Sequence, residues 1–180
     1  MTQPQQQPPP PGAAVIVVMG VAGSGKTTVA AALASAVGWR FVDADDHHAA
    51  ASIAKMARGE PLDDGDRWPW LDRLRAIIEG ALAAEPSQRS GLVMACSALK
   101  ASYRARLAGG DAGGRVRFVY LAGTPELLRA RLTQRPGHFM KPGMLDSQLA
   151  TLEVPSAAVT VDAALPVAAQ VERIRAALQL

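Results

Sequence analysis

Eight residues, Gly20-Val21-Ala22-Gly23-Ser24-Gly25-Lys26-Thr27, constrain this chain more than any other part of it. They fit the pattern G-x-x-x-x-G-K-[ST], and the flanking residues matter as much as the match. Ala13 to Met19 is an unbroken apolar run rich in Val and Ile, which fits a strand buried on both faces of a parallel sheet. Beyond the loop, Val29, Leu33 and Val37 recur every four residues and Gly38 supplies a stop, so a helix is predicted over 27–37. A glycine-rich loop between such elements lets several backbone N–H groups converge on phosphate oxygens, at a helix N-terminus whose dipole favours anions. The expectation is a phosphate cradle for ATP formed by Gly20, Ala22, Gly23, Ser24, Gly25, Lys26, Thr27 and Thr28. Lys26 would reach the β- and γ-phosphates, and the Thr27 hydroxyl would ligate Mg2+.

The alternation of strand and helix continues downstream. Trp39 to Asp43 is a short strand with acids at its end, Gly91 to Cys96 and Val116 to Leu121 are two more, and Val159 to Asp162 is a fifth. Helices are predicted over 50–59, 67–82, 101–107 and 145–152, and one through Val167, Val171, Ile174 and Leu178 closes the chain. Between the first two lies the turn-forming acidic segment 60–66. Thr124-Pro125-Glu126 provides an N-cap, a first-turn proline and a dipole-favouring acid for a further helix running to Gln134.

Strands alternating with helices build a parallel sheet covered on both faces through right-handed crossovers. The expected fold is α/β, a three-layer P-loop kinase arrangement with a five-stranded parallel sheet. Residues 13–180 would form the domain, with a mobile lid over about 135–144, where the chain is polar and contains Gly and Pro. Met1 to Gly12 is Gln- and Pro-rich and reads as a disordered tail. Ligands of such sheets bind outside the carboxyl ends of the strands, where loop 20–27 and the acids at 43–46 both fall.

Composition narrows the partners. The net charge is +3, from 19 Lys and Arg against 16 Asp and Glu, and no basic run concentrates it, so nucleic acid is not expected. No apolar run reaches the roughly 18 residues that span a bilayer. The tail has no basic region ahead of the apolar segment, unlike a secretory signal, and the cytoplasm is the expected location. The single cysteine, Cys96, cannot form an internal disulfide and has no metal-ligand spacing around it.

The cradle motif alone does not separate a kinase from a GTPase, a motor or a regulatory ATPase. Strand three ends Met94-Ala95-Cys96-Ser97, without the carboxylate that many NTPases place there for magnesium. The nearest carboxylates are Asp43 and Asp45 after strand two, an arrangement that favours a compact kinase.

Several segments resemble the gluconokinase family of small P-loop kinases, which phosphorylate D-gluconate at its 6-hydroxyl using ATP. Asp43-Ala44-Asp45 with His48 is similar to the family's D-G-D-x-x-H. Lys55-Met56-Ala57-Arg58-Gly59-Glu60-Pro61-Leu62, then Asp64-Gly65-Asp66-Arg67-Trp68-Pro69-Trp70-Leu71, resemble K-M-x-x-G-x-P-L-x-D-x-D-R-x-P-W-L. Cys96-Ser97-Ala98-Leu99-Lys100 with Tyr103-Arg104 resembles C-S-A-L-K-x-x-Y-R. Gly137-His138-Phe139-Met140, Ser147-Gln148 and Leu152-Glu153-Val154-Pro155 are similar to the family's last third. Ala44, Ala49 and Ser52 depart from it, standing where Gly, Pro and Asn are usual, near the expected sugar site.

The resemblance implies roles for individual residues. Asp45 would accept the proton of the attacking hydroxyl and touch the substrate, and Asp43 would face the magnesium waters. Arg67, Lys100 and Arg104 lie in segments expected to border the sugar; Arg67 is the first choice for gripping the gluconate carboxylate, because a guanidinium can do so bidentately. A surface ion pair from Arg67 to Asp63 or Asp66 is the rival role. Ser97 would bond a substrate hydroxyl or else cap a helix, and His48 would bond the substrate or serve the core. Arg131 and Arg135 share one helical face and resemble the paired lid arginines of nucleoside-monophosphate kinases, one over the adenine and one on the transferring phosphate. A solvated helix face is the alternative. By analogy of fold, the backbone around Leu165, Pro166 and Val167 would close the adenine pocket. A homodimer is implied by the family alone. Two other functions stay open: a kinase of another small polyol or acid such as shikimate, and an ATP-binding regulatory module without catalysis.

Overall fold

The computed structural model describes residues 15–84, 91–110, 114–134 and 142–180. Its five strands are β1 (Val15–Met19), β2 (Arg40–Asp43), β3 (Leu92–Ala95), β4 (Val116–Ala122) and β5 (Val159–Asp162). They form one sheet in the order β2-β3-β1-β4-β5, and every pairing is parallel. The helices are α1 (Lys26–Val37), α2 (Ala50–Ala57), α3 (Asp64–Ala83), α4 (Ala101–Ala108), α5 (Pro125–Thr133), α6 (Pro142–Thr151) and α7 (Val167–Leu178). A 3-10 turn, Ala44–His47, follows β2.

Strand β1 is central and wholly buried, as its unbroken apolar run requires. Its alternate residues serve two cores, because successive side chains of a strand point to opposite faces. Val15, Val17 and Met19 pack with Trp70, Leu71, Leu74 and Ile78 of α3 and with Tyr103 and Leu107 of α4. Ile16 and Val18 pack with Val29 and Leu33 of α1 and with Val171 and Ile174 of α7. The expected three layers are present, with helices on both faces of the sheet. Gly38 stops α1 in the left-handed region, at φ 71°, its N–H directed at Ala34 and Ser35 carbonyls.

Three features depart from expectation, two of them helix starts. Helix α3 begins at Asp64, not Arg67, because the acidic segment read as a turn is a capping box. The Asp63 carboxylate accepts the Asp66 N–H at 2.9 Å and the Asp66 carboxylate accepts the Asp63 N–H at 3.0 Å. Helix α6 begins at Pro142, so residues 142–144, assigned to the lid, are helical; proline suits a first helical turn, where its missing N–H costs nothing. The 3-10 turn after β2 was not anticipated. The expected tail, 1–12, and residues 135–141 of the lid lie outside the described residues.

Candidate active site

The cradle forms where β1 ends. Gly23 has φ 81°, and a Cβ there would stand 2.9 Å from the Leu128 carbonyl of α5, so a side chain is excluded twice. Gly25 is the N-cap of α1 with φ 92° and offers no side chain, so the first amides of the helix carry no side-chain cap. Ser24 is fully buried, and its Oγ has no hydrogen-bond partner among the described residues. Lys26 Nζ lies 3.3 Å from the Val21 carbonyl, folded back along its own loop. Uncapped amides at a helix N-terminus, beside a lysine, are the groups that a polyphosphate fits.

The cradle opens onto a cavity of about 500 Å³ whose walls include Lys26, Thr27, Thr28, Asp43, Asp45 and Ser97. Thr27 Oγ1 donates to Asp43 Oδ2 at 2.8 Å, bringing together the two residues expected to serve Mg2+. The described residues contain no cluster of three or more His, Cys, Asp or Glu that could hold a metal alone. One hydroxyl and one carboxylate beside a phosphate cradle match how Mg2+ is held, since it keeps most of its waters and takes the rest of its ligands from phosphate.

Asp43 has a second task. Its Oδ1 accepts the Asp45 N–H at 3.0 Å, capping the 3-10 turn that carries Asp45. The Asp45 side chain is 72% exposed, so it meets the cavity rather than the core. His48 follows the turn and is 5% exposed, its ring stacked on Trp70 at 4.4 Å and 10°. The Trp70 indole in turn donates to the Ala44 carbonyl at 2.8 Å. The His48 Nε2 is 3.9 Å from Asp45 Oδ1. Burial lowers the His48 pKa; Asp45 opposes that shift, while Arg67 and Arg73 add to it. His48 is thus both part of the core and part of the cavity wall.

Arg67 also lines the cavity, and Asp63 and Asp66 pair with Lys55 instead, at 3.2 and 2.6 Å. Ser97 lies in the coil after β3, and the N-cap of α4 is Lys100, so Ser97 does not cap that helix. Lys100 and Arg104 are not in the wall of this cavity. Lys100 binds Asp64 at 2.7 Å in an adjoining cleft, where the Tyr103 hydroxyl also donates to Asp64. Lys100 and Tyr103 together hold the Asp64 carboxyl below its usual pKa. Arg104 donates to the Ala98 and Leu99 carbonyls, both at 3.0 Å. Ala98 has φ 44°, an unfavourable conformation for a residue with a Cβ, and the Arg104 clamp holds the loop that presents Ser97. Lys100 thus has a carboxylate partner and Arg104 two carbonyl acceptors, all off the wall of this cavity.

Arg131 donates to the Ala163 carbonyl at 2.7 Å, and its Nη1 lies 3.9 Å from where a Cβ on Gly25 would stand. It thus bridges the cradle and the loop after β5. Arg135, its expected partner, lies outside the described residues. Ala44, Ala49 and Ser52 are absent from the described cavity wall. Ala44 has no positive φ, so a glycine is not required there. Sequence reasoning missed Gln148, whose Oε1 accepts the Ala22 N–H at 2.7 Å. Its type carries no chemical signature; only its place beside Ser147 in a motif shared with the family pointed to it.

Among the described residues, no helix is long and apolar enough to cross a membrane. A family model described as an AAA domain matches residues 15–155. Together with the cradle and the sheet order, this match defines the class: a P-loop nucleotide-binding protein with the fold of a small-molecule kinase. A solved gluconokinase from Sinorhizobium meliloti 1021 is 45% identical with a TM-score of 0.79, covering 94% of this chain and 92% of that one. A probable gluconokinase of Mus musculus is 45% identical over 168 residues, 82% of this chain and 89% of the relative. The gluconokinase of Gluconobacter oxydans (strain 621H) is 47% identical over 136 residues, 76% of this chain and 73% of the relative. The chain belongs to the gluconokinase family.

Proposed function

We infer that this protein transfers a phosphoryl group from ATP to the 6-hydroxyl of D-gluconate, giving 6-phospho-D-gluconate and ADP and feeding gluconate into central carbon metabolism. The observation that carries this reading is the meeting, at one cavity, of an uncapped phosphate cradle, the Thr27–Asp43 pair and Asp45 in a chain 45% identical to a solved gluconokinase.

Each residue has a task in that reaction. The amides of Gly23 and of 25–27, with the Lys26 ammonium, bind the polyphosphate and meet the charge that grows on its oxygens as the oxygen–phosphorus bond to ADP breaks; the Ala22 amide is held by Gln148. Thr27 and Asp43 would hold Mg2+ and its waters; the ion supplies neutralisation between the terminal phosphates. Asp45 takes the proton as the 6-hydroxyl oxygen bonds to the γ-phosphorus. Arg67 offers a fork for the carboxylate end of gluconate, and Ser97 a partner for a hydroxyl. Arg131 braces the nucleotide side. The cytoplasm is the proposed site of action, and a homodimer the proposed assembly.

A coupled assay of ADP release with gluconate and with shikimate tests the reading. Turnover of gluconate with formation of the 6-phosphate is expected. Preferred turnover of shikimate would replace the acceptor, and tight ATP binding without any phosphorylated product would leave a regulatory module.

A further inference from the structure

Gln148 joins the cradle to the acceptor side of the cavity through a single carboxamide. It stands half-buried on α6, and its Oε1 accepts the Ala22 N–H at 2.7 Å. A backbone N–H can only donate, so this bond fixes which end of the carboxamide is oxygen. The other end, Nε2, carries two N–H donors and has no hydrogen-bond partner among the described residues.

The place of the residue suits those donors. Gln148 lines the main cavity and also the adjoining cleft that holds Asp64, Lys100 and Tyr103. It stands at the neck between them, with Pro61, Leu62, Arg67 and Ser147. Two of these neighbours are apolar, one is a cation and Ser147 is a hydroxyl, so Gln148 adds a neutral donor pair that suits a hydroxyl. The helix that carries it is held in place. Leu145 packs with Val21, Leu99 and Leu128, and beyond the helix the Glu153 N–H donates to the Leu99 carbonyl at 2.9 Å. The Glu153 carboxylate accepts the Ala101 N–H at 2.6 Å. A side chain fixed at its root and at one end of its amide needs little further ordering to bind.

We propose that Gln148 is a specificity-determining residue for the sugar acid: with Oε1 held by the Ala22 amide, Nε2 donates to a hydroxyl lying between the reacting 6-hydroxyl and the carboxylate. The proposal rests on gluconate being the acceptor. A hydroxyl leaves its water partners on binding, and without a donor in the site that exchange is a loss. An acceptor lacking that hydroxyl strands the Nε2 donors instead, and is rejected for the same reason.

The test crosses two variants with gluconate and a set of monodeoxy-gluconates. Wild-type enzyme should discriminate against one analogue by roughly tenfold or more in kcat/KM. In Gln148→Ala, gluconate should fall to the level of that analogue, while the analogue itself loses little further. Gln148→Glu keeps an acceptor for the Ala22 N–H and removes the donors. It should raise KM for gluconate about tenfold and leave KM for ATP within about threefold. Full discrimination against every analogue in both variants, or a rise in KM for ATP alone, would reduce Gln148 to a prop for the cradle and overturn the proposal. Wild-type enzyme with no gluconate turnover would remove the acceptor reading and this proposal together, so the two failures are told apart by the wild type. If Gln148→Ala does not fold, the two KM values of Gln148→Glu decide between these outcomes.

Discussion

The Thr27 hydroxyl donates to Asp43 across a gap between two elements, the first turn of α1 and the end of β2, at 2.8 Å. The two oxygens of Asp43 divide their work: Oδ2 serves Thr27, and Oδ1 caps the turn that carries Asp45. Asp43→Asn keeps an oxygen for the cap and removes the charge. We expect the Mg2+ concentration for half-maximal rate to rise about 10- to 100-fold with ATP-free stability little changed. A magnesium titration of the rate checks it, and an unshifted midpoint would take Asp43 away from the metal.

Asp45→Asn should lower kcat by about 10²- to 10⁴-fold, the range for loss of a positioned base. ATP affinity, followed by calorimetry without gluconate, should stay as in the wild type, because Asp45 touches none of the cradle. Loss of ATP affinity alone would show that Asp45 belongs to the nucleotide.

Trp70→Phe removes the donor to the Ala44 carbonyl, which belongs to a fully buried residue, and reduces the ring surface on which His48 stacks. A buried acceptor left without a partner costs about 1–3 kcal/mol. The melting temperature should drop by several degrees, and KM for gluconate should rise as the 44–48 segment loses its backing. A variant as stable as the wild type would mean that the Ala44 carbonyl finds water instead.

His48 makes stability depend on pH. Burial keeps its folded pKa below the ordinary 6.5 that the unfolded chain shows. Between the lowered value and 6.5 the unfolded chain binds a proton that the folded chain refuses, so stability is full above that window and declines as pH falls through it. Asp45, Arg67 and Arg73 are the charged groups that bear on the ring. Melting curves from pH 7.5 to 5 should show this decline, and His48→Gln should flatten it. An equal decline in the variant would assign the effect elsewhere.

Much of this was legible in the residue order. The cradle, the five strands and the sheet's burial follow from apolar runs and glycine spacing, which are local signals. The start of α3 was not, because Asp63-Asp64-Gly65-Asp66 has the composition of a turn, and only the reciprocal bonds between Asp63 and Asp66, with Lys55 paired to both, show it to be a cap. The same holds for the site. Lys26, Thr27, Asp43 and Asp45 announce themselves by type and place, whereas the sequence does not show that Lys100 pairs with Asp64 and that Arg104 bonds the Ala98 carbonyl, both off the main cavity wall. The charge of Lys100 is visible in the sequence, but its pairing with Asp64, 36 residues away, is not.

Cys96 follows β3 directly and precedes Ser97, and burial pushes its thiol up to about 12. A sulfur that stays protonated and out of reach of solvent is a poor target for peroxide or alkylating reagents. Catalysis should therefore survive iodoacetamide treatment of the native enzyme, with no thiol reductant needed to protect Cys96.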